Sequence, residues 1–269
     1  MAKEYGNIRY IGTLGGIRHY PMEGTEGIVA ATKGVVPKTI LDNSPVFAGS
    51  RRSRFEFAGK SKLAKEIRGA LGDWSLTIVN RHLHPKMVSV MHSIAKMDTE
   101  SPDGKRNIYL SRYKEMLYQL ESYHYYMPLA EIMRCPYIIE DTGERNTVKL
   151  VMKGLYPKMH IKAPAKATHF QLYLSIGSVK DCIYNAEFNL YESYKSSSYW
   201  VVKYTQSDWI PINGALMDDL TLTVSLPETH VLTESETVLR SFGIVFGQMT
   251  SKVEPLERDR GSIAFLGAV

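Results

Sequence analysis

The stretch HFQLYLSI, residues 169–176, decides the fold. Phe170, Leu172, Leu174 and Ile176 alternate with His169, Gln171, Tyr173 and Ser175. Successive side chains of a strand point to opposite faces, so this pattern describes one apolar and one mixed face. The same alternation returns at Leu220, Leu222, Val224 and Leu226, with Thr221, Thr223 and Ser225 between them. It returns again at Phe242, Ile244 and Phe246. Ile138, Ile139 and Glu140 lead into a turn near Gly143, residues 147–152 read as the return strand, and residues 262–269 as a last strand. Period 2 begins near Cys135, and Pro, Gly, Asn and Ser punctuate the runs. The pattern predicts an antiparallel β-sandwich domain over residues 131–269.

Working back towards the N-terminus, the period becomes helical. Residues 47–71 read FAGSRRSRFEFAGKSKLAKEIRGAL. Leu63, Ala64, Ile67, Ala70 and Leu71 recur at three- and four-residue spacing, the apolar stripe of an amphipathic helix. Gly72 and Asp73 end or kink it. A second stripe, Met87, Val90, Met91, Ile94 and Met97, predicts a helix over residues 85–97 with Pro85 in its first turn. Residues 98–104 form a loop by composition. Tyr109, Tyr113, Met116, Leu117 and Leu120 mark a third helix that runs into Tyr123, His124, Tyr125 and Tyr126. Residues 47–130 are therefore expected to be a three-helix region.

Residues 1–46 read as an extended arm. Ile8, Tyr10 and Ile11 precede a glycine turn at Gly12, Gly15 and Gly16, and Ile17, His19 and Tyr20 follow it, which predicts a β-hairpin. Residues 28–31 add another short strand, and Pro37 and Pro45 bracket a short helix or turn. Little large apolar surface is available here, so the arm should lean on something else. The fold class is α+β: an N-terminal hairpin arm and three-helix region, then an antiparallel sandwich.

Of the 269 residues 44% are apolar and 23% charged, the range of a folded domain. The net charge of +5 is unevenly spread. Residues 1–120 hold 19 Lys/Arg against 11 Asp/Glu, and the remainder 14 against 17. A basic front and a weakly acidic back suit a nucleic-acid-facing region or contact between copies. Cys135 and Cys182 allow one bridge or two free buried thiols, and free thiols are the expectation. The first sixteen residues lack the apolar core of a signal peptide, and no apolar run has the length of a membrane helix. A protein that is cytoplasmic, or assembled without the general secretory route, and not inserted in a membrane is expected.

Catalytic signatures are not found. Gly12, Gly15 and Gly16 lack the lysine and hydroxyl of a phosphate loop. No serine sits in a Gly-x-Ser-x-Gly elbow. His82, His84 and His92 fall within eleven positions but without a His-Glu-x-x-His pattern, so no metal and no cofactor are expected. What stands out is charge and aromaticity. Arg51, Arg52, Arg54, Lys60, Lys62, Lys65 and Arg68 face only Glu56 and Glu66 within residues 47–71. Each could neutralise a phosphate, with Phe55 and Phe57 stacking on bases. Alternatively the arginines meet carboxylates of a neighbouring copy, such as Glu254, Glu257 and Asp259. Tyr123, Tyr125, Tyr126, Tyr199 and Trp200 supply aromatic interface candidates, tyrosine and tryptophan being enriched at such surfaces.

Three segments carry a resemblance: RFEFAGKSKLAKEIRGAL from Arg54, HPKMVSVMHSIAKMDTESPDGKRNI, and PAKATHFQLYL with RSFGIVFGQM. In that order they resemble an uncharacterised family of hypothetical proteins common in Bacteroidota. Its Lys-x-Asp-Thr and Gly-x-Arg-Asn signature corresponds here to Lys96, Asp98, Thr99, Gly104, Arg106 and Asn107. The chain departs from that pattern with Ala58 in place of a glycine and with Pro102 and Asp103 inserted. The resemblance implies helices before a β-rich half and brings no activity with it. The expected function is that of a non-enzymatic structural protein whose copies assemble into a ring, tube or filament. Nucleic-acid binding through residues 51–68 is the alternative.

Overall fold

In the computed structural model the described residues are 2–4, 10–22, 27–32, 36–78, 82–124, 127–140, 142–193, 201–256 and 261–269. The chain divides into two compact units, residues 1–51 and 52–269.

The smaller unit is the expected hairpin, enlarged. Strands β2 (Gly12–Leu14) and β3 (Ile17–Pro21) are joined by Gly15 and Gly16. Their φ angles of 56° and 83° are the paired positive values of a tight hairpin turn, which glycine adopts without strain. Strand β4 (Ile28–Thr32) pairs with β3, and β1 (Ala2–Glu4), which the pattern did not announce, pairs with β4. The sheet order is β1-β4-β3-β2, all antiparallel. Helix α1 (Lys38–Asn43) follows Pro37, and the Arg51 guanidinium donates to the carbonyls of Leu41 and Ser44 at 2.9 and 2.8 Å. That arginine satisfies the Leu41 carbonyl, which the helix end leaves facing Pro45, and shares the Ser44 carbonyl with the Phe47 N–H.

Helix α2 (Ala48–Gly69) starts well before the stripe that announces it, and Gly72 at φ 87° ends the run. Its stripe is buried as expected: Leu63, Ala64, Ile67 and Leu71 are all at 0% exposure. Helix α3 (Leu83–Ala95) buries Met87, Val90, Met91 and Ile94, while Met97 lies past its end and is exposed.

The third helix is not formed. Residues 110–112 and 114–119 are 3-10 turns, and residues 121–124 are strand β5 (Glu121–His124). The backbone there is tied down locally. Ile108 exchanges two hydrogen bonds with Cys182, and the Asp181 carboxylate accepts from the Ser111 N–H and hydroxyl at 2.8 and 2.7 Å. Apolar spacing of three and four serves a chain of 3-10 turns as well as an α-helix.

After α4 (Leu129–Ile132) come the hairpin β6 (Tyr137–Glu140) and β7 (Thr147–Met152), then α5 (Pro157–His160). Strand β8 (His169–Lys180) is followed by the hairpin β9 (Cys182–Asn185) and β10 (Leu190–Ser193), then β11 (Val202–Gln206) and β12 (Ile210–Pro211). Next are β13 (Leu220–Ser225), β14 (Glu236–Met249), β15 (Val253–Pro255) and β16 (Gly261–Ala268). A seven-stranded antiparallel sheet runs β11-β8-β14-β16-β5, with β12 and β15 pairing β8 and β14. A second sheet runs β13-β7-β6.

Strands β8 and β14 set the registry, with Phe170 opposite Phe246 and Leu172 opposite Ile244. Phe170, Leu172, Leu174, Ile176, Phe242, Ile244 and Phe246 face the second sheet and share a core with Val148, Leu150, Leu222 and Val224. Val179, Leu239, Val245, Ile263 and Phe265 belong to a second core with Leu63, Ile67, Met87 and Met91 of the helices. The large sheet is thus the middle layer, with helices on one face and the small sheet on the other.

The fold is α+β with a β-rich C-terminal half and the expected pair of facing sheets. The boundary expected near residue 130 is not there, because the helices complete a core with the sheet and β5 joins it at the edge. No helix among the described residues is long and apolar enough to cross a membrane.

Candidate functional site

Ser53, Glu56, Phe57 and Lys60 lie at i, i+3, i+4 and i+7 of α2, a spacing that puts them on one helix face. Pro85, Val88, Ser89 and His92 repeat that spacing on α3. The two rows line one cleft of about 400 Å³. Lys60 does not stand on the basic surface expected of it. It is 5% exposed, and its ammonium donates to Glu56 Oε2 at 2.7 Å and to His92 Nδ1 at 2.9 Å. Glu56, also buried, accepts the Gly104 N–H at 3.0 Å on its other oxygen, 3.8 Å from the Arg106 guanidinium.

Burial works against the charge of Glu56. The Lys60 bond, the Gly104 N–H and the charges of Lys60 and Arg106 outweigh it and hold the carboxyl below the ordinary carboxylate value. His92 is shifted down as well, first by desolvation and then by the positive charges of Lys60 and Lys96. The imidazole is neutral at neutral pH. Because Nδ1 accepts from Lys60, the ring proton sits on Nε2.

The loop after α3 completes the surroundings. Asp98 accepts from the N–H groups of Glu100 and Ser101 at 3.1 Å each and of Asn107 at 2.7 Å. Burial opposes its charge, but these bonds lower its pKa. Asn107 accepts from the Tyr184 N–H at 2.8 Å and donates to Ser101 and Tyr109. Gly104 and Arg106 therefore meet Glu56 directly, and Asp98 and Asn107 brace the loop that carries them. Gly104 has φ 94°, and a Cβ there would come within 2.9 Å of the Arg52 side chain.

The remaining expected contact residues are dispersed. Arg51 is committed to α1 within the smaller unit. Lys62 is exposed, and its ammonium donates to the Tyr191 carbonyl at 2.9 Å. Arg52, Arg54 and Lys65 are exposed on α2, and Arg68 is half-buried near its end. Phe57 is 56% exposed at the cleft, and Phe55 is 37% exposed. Of the aromatic candidates, Tyr125, Tyr126, Tyr199 and Trp200 lie outside the described residues, as does the Tyr123 side chain. Glu257 and Asp259 do as well, while Glu254 is exposed on β15.

Both cysteines are free and buried. Burial raises the Cys182 thiol to about 12, and its sulfur donates to the Gly59 carbonyl, so it is an inert packing group. Elsewhere Glu236 is buried at the start of β14, bonded to Ser178, Lys180 and His230 at 3.0–3.1 Å. The carboxylate lies between the serine and the histidine, tying β8, the start of β14 and the His230 loop together, and the cluster reads as a pin on the strand.

Sequence reasoning found the stretch but missed the site. Glu56 and Lys60 were visible as an i,i+4 pair, whereas His92 is 32 residues from Lys60. The chain matches no protein-family model, no curated protein and no solved structure.

Proposed function

We propose that this chain is a non-enzymatic structural protein whose copies associate through the unit formed by residues 1–51. One observation carries the reading. In that unit Ile11, Leu14 and Val46 are 76%, 62% and 85% exposed, while Ile28 and Val29 are its only buried apolar side chains among the described residues. Leu14 stands opposite Ile17, itself 42% exposed, across the β2–β3 pair, and exposed apolar side chains adjacent on a sheet mark an interaction surface. Strand β2 is also an edge strand, with Gly12, Thr13 and Leu14 all exposed. Its outer row of N–H and C=O groups is a template for another strand.

Arg52, Arg54 and Lys65 add an exposed basic surface on α2 that suits the carboxylates of a second copy. The phosphate reading of residues 51–68 is weaker in this fold. Lys60 is enclosed and Arg51 serves a helix end, which leaves fewer cations for a backbone of phosphates.

Light scattering across concentration and salt tests the proposal, with electron micrographs of concentrated protein to show the form. Mass should rise with concentration, and Ile11→Ser with Leu14→Ser should shift the onset at least tenfold. Removal of residues 1–36 should reduce assembly more than it reduces folding. A monomer at every concentration and salt sinks the assembly reading. Retention of DNA at low salt, lost on adding salt, would favour the alternative.

A further inference from the structure

The cleft between α2 and α3 has no part in the assembly reading. Its floor is a buried ammonium. Lysine has three N–H donors, and Lys60 uses two, on Glu56 and His92. At the rim His92 presents a neutral ring with its proton on Nε2, and Ser53 and Ser89 add hydroxyls. Phe57, Pro85 and Val88 supply apolar wall. Lys60, Lys96 and Arg106 place positive charge near His92, against the carboxylates of Glu56 and of Asp103, which pairs with Arg106.

A volume of about 400 Å³ falls within the range of small-molecule sites, which join apolar walls to a few placed polar groups. A doubly charged phosphate would want an arginine fork or several backbone N–H groups. None lines this cleft, whose polar lining groups are Ser53, Glu56, Lys60, Ser89 and His92. We infer that the α2–α3 cleft binds a small organic carboxylate, its oxygens taken by the third Lys60 N–H and the serine hydroxyls, its apolar body against Phe57 and Val88. This stands apart from the assembly reading. The cleft is built from residues 53–92 alone, and its occupancy is measured separately from mass.

The test uses the full chain at pH 7.5 and constant ionic strength, with benzoate as probe. Imidazole resonances of His92 are followed by NMR, and heats by calorimetry. Benzoate should shift the His92 signals saturably, and benzamide, its neutral analogue, should not. Ser89→Asp places a like charge in the cleft from an exposed position and should weaken benzoate at least tenfold. Thr221→Asp, exposed on β13, adds the same charge elsewhere and should change affinity less than twofold. Phe57→Ala should weaken benzoate about fivefold while leaving acetate nearly unchanged. Absence of a saturable shift up to about 50 mM overturns the inference. So does tighter binding of inorganic phosphate, or equal loss in Ser89→Asp and Thr221→Asp.

Discussion

Two sheets of this protein, the four-stranded and the seven-stranded, are built from the same local grammar and end in opposite states. The four-stranded sheet of residues 1–51 has hairpins, glycine turns and β-branched residues, yet it leaves Ile11, Leu14 and Ile17 exposed. The seven-stranded sheet has a layer on each face and buries Phe170, Phe242 and Phe246 completely. Strand propensity and turn chemistry are alike in both. What differs is whether another layer exists to cover the apolar side chains, and that is a property of chain length and topology rather than of any strand.

The contrast can be broken at its strongest point first. Phe242→Ala removes a fully buried ring between the two facing sheets and should cost about 3–5 kcal/mol in urea unfolding. Ile11→Ser, by the same measurement, should change stability by no more than about 0.5 kcal/mol, since the side chain is already wet. Comparable losses from the two would show that the smaller unit is buried in solution.

Next comes the enclosed ion pair. Glu56→Leu leaves the buried Lys60 ammonium without its carboxylate and with only His92 as partner and should cost about 3–5 kcal/mol, whereas Glu56→Leu combined with Lys60→Leu should recover most of that. A double-mutant cycle checks it. An additive double variant would mean that the pair is solvated.

Two glycines of α2 then sharpen the comparison within one helix. A Cβ at Gly59 would lie 2.6 Å from the Tyr191 ring, so Gly59→Ala should destabilise by about 1–3 kcal/mol through overpacking. Gly49 has nothing within 4 Å, and Gly49→Ala should stabilise by about 0.4–1 kcal/mol through the unfolded chain. Opposite signs in thermal unfolding are the expected result.

The smallest effect is the pH dependence. His92 and Glu56 both have folded pKa values below their ordinary values of 6.5 and 4.5. The unfolded chain therefore binds more protons, and their contribution is complete above those values and lost as pH falls through the lowered ones. His92 loses its share first and Glu56 after it. Asp98, also depressed, follows below 3.8, whereas Asp181, raised first by burial, opposes the trend. His92→Gln should flatten the first part of the stability curve below pH 6.5 and leave the second in place.

The residue pattern was enough to identify most of the elements. Period-2 alternation located β8, β13, β14 and β16, the glycine pair located the first hairpin, and the Leu63, Ile67 and Leu71 stripe located the buried face of α2. These signals are local, because a side chain's direction follows from its own strand or helix. The stretch from Tyr109 to Leu120 misled because its spacing is ambiguous and its backbone bonds to Cys182 and Asp181, some 70 residues away. The cleft was half legible. Glu56 and Lys60 announce a pair, but a lysine in a run of basic residues is ordinarily wet.

The sequence by itself determined that this protein is α+β, basic in front and β-rich behind, with one amphipathic helix of high positive charge. Only the tertiary structure decided which of those charges face water. Lys60 turned inward because Glu56, Gly104 and His92 meet around one point from two helices and a loop. A buried ammonium is tolerable only where acceptors such as Glu56 and His92 converge, and a contact between residues 32 apart in the chain is set by packing, not by spacing.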